Sequence, residues 1–579
     1  MSLPKIYESH IPDALRKFLL SDEKVAVVFA PTGAGKTVAC SRIFADTVKS
    51  LREKGVQCSG SVLMPYRVSV KEMYKYLLTL RKKHKETHSY GYGISGDTVR
   101  EDGNHVVLQT VGYFLEGSVA ATPNQKHRQL IMLDEAHDAS WQTDFVLSHL
   151  MWRIKEGDNI KLVVSSATLD VQKIEKKYGV PTVNLIMQQE QKNHVVTFNE
   201  EKGYYPLDGS KVSEDFYKVM TRSVVNAYKT TASGHILVLM PGQEEITKLI
   251  EILTKHAEID DKAVIIGLHS QLSKEDIQFA IDSPKEKDER KIIVSTNIVE
   301  NAITINDLCA VVDSCLRKEL YVDQDGVSEL RLTLASQSNV IQAYGRCGRQ
   351  GVQGHAFITI PKSLFETLTP YSLSEVERNP LYPQLIKCFK HKLPHLNLLS
   401  HAGMSKVRED IEYLEKYEMI RKDGETYALT ETGAIISQLP CSIRAGRFIV
   451  KAVEYIKSVI TDDKFGAKNA NDIRSYFYYY TCLTAAWIGY GTSVFENAFR
   501  RPRETEEAFG ARKEETEQMQ ADFYKADCYR TFLNVWFSSF TSDAKLHDWC
   551  RENKIFCKAI IEIDRASRDI APAVTSRQP

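Results

Sequence analysis

A chain of 579 residues is too long for one hydrophobic core; at about 150 residues per domain it holds about four. Its 75 basic and 75 acidic residues cancel, which excludes the chain-wide cationic coat of a nucleic-acid packaging protein but leaves room for a local basic channel. The hydrophobic share of 43% is ordinary for a globular protein, no apolar run is long enough to span a bilayer, and the opening MSLPKIYESHIPDALRKF lacks a signal peptide's apolar core. A soluble intracellular protein with no membrane partner is therefore expected, its cytoplasmic or nuclear address unresolved.

The first element of consequence is the apolar run 25–29, which reads as a buried strand. It leads into Ala30-Pro31-Thr32-Gly33-Ala34-Gly35-Lys36-Thr37 and then a helical stretch over 38–49. Strand, Gly-containing turn and helix start is the setting of a phosphate-binding loop, in which backbone N–H groups and the helix N-terminus form an anion site. Gly33 and Gly35 let the backbone approach phosphate, Lys36 supplies a point charge to the β- and γ-phosphates, and the Thr37 hydroxyl can ligate Mg²⁺. Ala30 stands where the strict pattern has its first Gly.

Strand-like runs at 60–64, 105–109, 130–133 and 162–165 follow, separated by amphipathic helical stretches. That alternation means a parallel sheet covered by helices. The fourth run of this first set ends in Asp134-Glu135-Ala136-His137. An apolar strand closing on two carboxylates is what a phosphate loop needs opposite it: Asp134 to hold Mg²⁺, and Glu135 beside it to orient and deprotonate the attacking water. A second set of strands is expected at 236–240, 263–268, 291–295, 310–313 and 354–360, with no phosphate loop of its own. Two α/β domains with one loop suggest a nucleotide held in the cleft between them. Near the end of the second set, Arg346 and Arg349 lie three apart on one helix face, placed to neutralise a transferring phosphoryl group from across that cleft. The segment 318–332 alternates around Asp325-Gly326, a hairpin signal.

Beyond residue 362 the composition turns helical. A helix over 405–417, short strands at 419–420 and 427–429 around Asp423-Gly424, and a helix over 430–437 suggest a winged-helix unit. Residues 441–570 read as helical, with the aromatic run Tyr476-Phe477-Tyr478-Tyr479-Tyr480 expected in the core, the charged stretch 500–517 expected as a solvated loop or helix, and 571–579 as a disordered tail. The eleven cysteines have no close C-x-x-C pair and read as buried free thiols.

With Asp134-Glu135-Ala136-His137 in place, the chain resembles the DEAH-box helicases, the DEAH/RHA group of superfamily 2. Ser166-Ala167-Thr168 resembles the motif that couples hydrolysis to unwinding, and His137 is implied in the same coupling. Leu239-Met240-Pro241-Gly242-Gln243-Glu244-Glu245-Ile246 is similar to the motif that opens the second domain, and His269-Ser270-Gln271-Leu272 follows it. Residues 295–305 are similar to the fifth motif and Gln342-Ala343-Tyr344-Gly345-Arg346-Cys347-Gly348-Arg349 to the sixth, with Ala343 where the family often has Arg. The resemblance covers nearly the whole chain. It implies an α/β fold of two RecA-like domains, 1–188 and 189–362, then a winged-helix domain, 363–440, and a helical ratchet-like domain, 441–570. It implies ATP as cofactor, with other NTPs accepted, and Mg²⁺ on Thr37, Asp134 and Glu135. The nucleotide would be held by Thr32, Gly33, Ala34, Gly35, Lys36, Thr37, Asp134 and Glu135, and Gln342 would position the attacking water. Arg67, Thr110 and Thr296, with the Asp325-Gly326 hairpin, are implied in nucleic-acid contact and strand separation.

The expectation is thus a monomeric ATP-dependent helicase or translocase on single-stranded or 3′-tailed RNA, running 3′ to 5′, with protein cofactors open. The family commonly continues into an OB-fold for which the residues after Trp549 leave no room, so activation by G-patch proteins is not expected. A DNA helicase, a remodeller of RNA–protein complexes, and an RNA-binding sensor or scaffold with little turnover are the alternatives.

Overall fold

The computed structural model describes residues 4–30, 34–101, 103–118, 124–136, 140–166, 171–187, 194–259, 263–268, 290–296, 305, 307–323, 328–348, 353–391, 404–424, 426–439, 441–490, 493–496, 505–541 and 545–575. The first domain is built on β1 (Val25–Phe29), β2 (Cys58–Met64), β3 (Tyr90–Ile94), β4 (Asp97–Val99), β5 (Val106–Thr110), β6 (Arg128–Leu133), β7 (Ile160–Ser166) and β8 (Thr182–Ile186). They form one sheet in the order β4-β3-β5-β2-β6-β7-β1-β8, parallel at each pairing except β3 with β4. Successive side chains on a strand face opposite ways, and here both ways lead into core. Val25 and Val27 join Ile131, Leu133, Leu162 and Val164 in one apolar cluster, whereas Ala26 and Val28 join Leu130, Met132 and Val163 in another. Burial on both faces is why these strands read as continuous apolar runs rather than alternating ones.

The second domain takes its edge strand from the next stretch of chain, β9 (His194–Phe198), after which a two-residue ladder, β10 (Leu207–Asp208) with β11 (Lys211–Val212), precedes the helix Phe216–Thr230. Then come β12 (His235–Leu239), β13 (Ala263–Leu268), β14 (Arg290–Ser295) and β15 (Leu308–Asp313). The hairpin of β16 (Leu316–Val322) and β17 (Ser328–Leu334) leads on to β18 (Gly354–Ile358). The sheet order is β13-β14-β12-β15-β18-β9, all parallel.

Residues 375–439 place the helices Glu375–Arg378, Tyr382–His391 and Met404–Lys416 before the hairpin of β19 (Ile420–Asp423) and β20 (Thr426–Leu429) and the helix Glu431–Ile436. This unit packs on the first domain: Leu381, Leu385, Leu414, Met419 and Ile436 share a core cluster with Phe145, Leu150 and Tyr178. Helices from Ile443–Val459 to Cys557–Thr575 build a further apolar cluster that includes Phe532, Trp536 and Ile560, while Val450 on the first of them still packs in the first domain's cluster.

Two expectations need correction. The aromatic run lies on the helix Ala467–Tyr490, and of its members Tyr478 is 2% exposed while Tyr476, Phe477 and Tyr479 are 61%, 46% and 47% exposed. Five consecutive aromatics wrap most of the way round a helix, so the stripe that meets the core takes Tyr478 with Cys482 and Ala486 and leaves most of the others outside. The tail expected from 571 continues the helix Cys557–Thr575 through Pro572, because Ile570 and Val574, one turn apart, are both buried in the core. The charged stretch is largely the helix Glu506–Ala521, capped by the Thr505 side chain. All eleven cysteines are free; Cys528 is exposed and most of the others are buried.

Candidate active site

Strands β6, β7 and β1 are neighbours and finish together, Leu133 level with Val164 and Phe29 level with Ser166. Open parallel sheets bind ligands beyond the carboxyl ends of their strands, and here those ends deliver Ala30, Asp134 and Ser165 to one place. Lys36, the first residue of the helix Lys36–Glu53, is buried, and its Nζ donates to the carbonyl of Ala30 at 2.9 Å. The hydroxyl of Thr37 donates to Asp134 Oδ2 at 2.6 Å, and that of Ser165 donates to Asp134 Oδ1 at 2.6 Å. Asp134 is buried, and burial, reinforced by the neighbouring Glu135 charge, pushes its carboxyl above the usual carboxylate range; the two hydroxyls and Lys36 pull the other way. Glu135 follows in the left-handed region at φ +50°. A non-glycine residue held there costs on the order of 1 kcal/mol or more, and such strain persists where the surroundings fix it.

Ala30 is fully buried with no positive φ, so the position that the strict pattern gives to Gly needs none here. Gly35 does need to be Gly. It sits at φ +94°, and a Cβ added to it would lie 2.2 Å from Cβ of Pro4. The segment from Pro4 thus lies against the loop, and the Ile6 N–H donates to the Ala34 carbonyl at 3.1 Å.

In the second domain the helix Gln337–Tyr344 is fixed by a reciprocal cap between Ser336 and Asn339. Gln342 lies in its last turn and Arg346 in the turn that follows; both are half-buried. Ala343 is buried among Leu237, Ile266 and Ile293, so apolar core fills a position where the resemblance often has a cation. The turn closes at Gly348, φ +67°, where a Cβ would meet the Gly354 nitrogen at 2.9 Å and His194 Nε2 at 3.2 Å.

Arg67 and Thr110 follow or end the adjacent strands β2 and β5. Arg67 is exposed and its Nη2 donates to the Ser95 carbonyl at 2.8 Å. Thr110 is buried and its hydroxyl accepts from the Tyr113 N–H at 3.4 Å, at the start of the helix Val111–Ser118. Thr296 follows β14, half-buried. Ser166 ends β7. Thr32, Gly33, His137, Thr168, Asp325, Gly326, Arg349 and 269–272 lie outside the described residues.

Two contributors were not among the expected residues. Ser165 holds the second oxygen of Asp134; the signal was a serine closing the apolar run Leu162-Val163-Val164 one residue before the coupling motif. Ile6, buried beneath the loop, carries no sequence signal beyond its hydrophobicity.

Residues 9–176 match the DEAD/DEAH box helicase family and residues 218–351 match the helicase conserved C-terminal domain; together the two take in just over half of the chain. The chain belongs to the DEAH-box helicases. Among curated proteins, this DEAH-box chain is 24% identical over 480 residues to the ATP-dependent RNA helicase TDRD9 of Mus musculus, covering 75% of this chain and 34% of that protein. It is 26% identical over 482 residues to the ATP-dependent RNA helicase DHX30 of Gallus gallus, covering 78% and 38%. The DEAH-box chain therefore spans about a third of the length of such relatives. Its fold is similar to that of the E. coli DExH-box NTPase HrpB, with a TM-score of 0.66 and 21% identity over 90% of this chain and 59% of that one. Among the described residues no helix is long and apolar enough to cross a membrane.

Proposed function

We propose that this chain is an ATP-dependent helicase or translocase that moves along RNA from 3′ to 5′ and parts duplexes or remodels RNA–protein complexes. The observation that carries the reading is the buried Asp134 carboxylate, held between the Thr37 and Ser165 hydroxyls at the mouth of the phosphate loop. Burying a carboxylate is costly; the hydroxyls and Lys36 offset part of that cost, and a magnesium nucleotide would relieve more of it. The donor set fits Mg²⁺, with Thr37 and Asp134 as protein ligands and Glu135 adjacent. Among the described residues no group of three or more His, Cys, Asp and Glu side chains gathers, in keeping with a metal that takes its remaining oxygens from phosphate and water. When bound, Mg²⁺ would neutralise phosphate charge.

Lys36 exchanges its Ala30 carbonyl for the β- and γ-phosphates. Glu135, turned out of the strand direction by its left-handed backbone, takes the proton of the attacking water, and Gln342 holds that water in line. Arg346 and Arg349 stabilise the charge on the transferring phosphoryl group from the second domain. Other NTPs serve as well as ATP, since these contacts address phosphate. Arg67, Thr110 and Thr296 hold a single strand by its backbone, giving little sequence preference. The names of TDRD9 and DHX30 favour RNA over DNA.

The deciding assay is ATP hydrolysis with single-stranded RNA and DNA in parallel, followed by unwinding of 3′-tailed and 5′-tailed duplexes. RNA-stimulated hydrolysis with unwinding of the 3′-tailed duplex is expected. Hydrolysis that RNA leaves unchanged would overturn the reading.

A further inference from the structure

We infer that Glu375, Arg378 and Asn379 are positioning residues that transmit the state of the nucleotide site to the β16–β17 hairpin. The inference rests on the helicase reading for what the hairpin does, and on contacts alone for how it is held.

The short helix Glu375–Arg378 leaves Ser374 in a reciprocal cap, with Ser374 N–H donating to Glu377 Oε2 at 2.8 Å and Glu377 N–H donating to Ser374 Oγ at 3.3 Å. This strap is gripped from three sides. On the first-domain side, Glu375 Oε2 accepts from the backbone N–H of Trp141 at 3.0 Å, and Val376 is fully buried in the first domain's core cluster. Trp141 opens the helix Trp141–Lys155, which begins six residues after Glu135. A carboxylate on a first-turn N–H is stabilised by the helix dipole, so this end responds to any shift of that helix. On the hairpin side, Arg378 Nη1 donates to the Leu320 carbonyl at 3.1 Å, lies 3.5 Å from Glu319 Oε2, and stacks its guanidinium 5.7 Å from the Tyr321 ring centroid. Asn379 Oδ1 accepts from the Val322 N–H at 2.9 Å, at the outer end of β16. On the third side, Lys406 donates to the Val376 carbonyl at 2.8 Å and Asp410 accepts from the Leu381 N–H at 2.6 Å.

The hairpin belongs to the second domain by its β16 root but is tied near its tip to a strap seated on the first. Only Val376 and Glu377, both within the helix, separate Glu375 from Arg378. A displacement of the helix that follows Asp134-Glu135 therefore reaches β16 without passing through the cleft.

The test reads amide hydrogen exchange over residues 319–323 in the full chain, with and without a non-hydrolysable ATP analogue. In the parent protein, nucleotide is expected to change exchange in this segment by threefold or more. Glu375→Ala and Arg378→Ala should each abolish that response while nucleotide affinity stays within about twofold, and Arg378→Lys, which keeps the charge and a donor, should restore part of it. On 3′-tailed RNA duplexes each Ala variant should lose about tenfold in unwinding rate with hydrolysis changed less than twofold, and the double variant should be no worse than the weaker single. Grips in series behave that way; independent supports would multiply their losses. A nucleotide response that survives in both Ala variants, or multiplicative losses, overturns the inference and leaves the helicase reading standing. A parent protein that neither hydrolyses nor unwinds overturns the helicase reading, while the exchange response still decides the strap.

Discussion

Asp134 and Glu135 are neighbours in the chain with opposite situations. Asp134 is buried and fully engaged by two hydroxyls, and Glu135 is half-buried on a left-handed backbone. In the proposed mechanism that contrast separates binding from chemistry and makes the substitutions diverge. Glu135→Gln is expected to keep nucleotide affinity and lose about 10²- to 10⁴-fold in turnover, the usual share of a general base. Lys36→Ala should weaken nucleotide binding itself by stripping a charge from the phosphate site. Single-turnover hydrolysis beside equilibrium binding of a labelled nucleotide distinguishes the two, and near-parental kcat in Glu135→Gln would remove Glu135 from its role. That Lys36, Thr37 and Asp134 would gather at one end of the sheet was legible in the sequence, because a phosphate-loop pattern has set residue types and spacing. Ser165 was not, since a serine at a strand end has many uses and its partner is 31 residues away. Nor was the close approach of Pro4 to Gly35, which depends on how the chain returns over the loop.

At the scale of elements, continuous apolar runs announced the central strands. β3 and β8 escaped notice for physical reasons. Tyr90-Gly91-Tyr92-Gly93-Ile94 carries two glycines, of which Gly93 leaves room for the Tyr113 ring, and β8 is an edge strand with Asn184 in its middle. Both are stabilised by partners rather than by their own composition. The β16–β17 hairpin was legible, and on the proposed strand-parting role, replacing its tip by a short Gly linker should leave RNA-stimulated hydrolysis largely intact while unwinding of a 3′-tailed duplex falls at least tenfold. Equal losses would make the hairpin merely structural. Lys161 on β7 is buried and donates to the carbonyls of Phe18, Ser21 and Glu23, closing the end of the helix Ile11–Leu20. Lys161→Met strands those acceptors and should cost about 2–4 kcal/mol, read from the urea midpoint. Burial raises the Asp410 carboxyl above the usual carboxylate range, with the Leu381 N–H and Lys406 opposing. A raised folded value means that the folded chain holds the extra proton, so this group's stabilisation is complete below the ordinary carboxylate range and is lost as pH rises through the folded value. Asp410→Asn keeps an acceptor for Leu381 and should flatten that part of the pH–stability curve; a curve that keeps the parental slope would refute the assignment.

Across the whole molecule, the first domain and residues 376–450 share one apolar cluster, so the second domain is in effect inserted into a larger body. The chain passes between the two bodies twice. Met187 still donates to Phe29 of the first sheet, and His194 already lies on β9 with its ring at 3.1 Å from the Cys347 carbonyl. On the return, Ser372 still donates to Asn339 of the second domain, and Glu375 already touches Trp141. The second passage is therefore only two residues long, Leu373 and Ser374. Just past it, Arg378 and Asn379 hold the hairpin at Leu320 and Val322, so the short return passage and the hairpin's ties lie within the one stretch 373–379. A panel hung on a short strap and latched beside it has little slack: any turn of the second domain against the larger body must first load that latch.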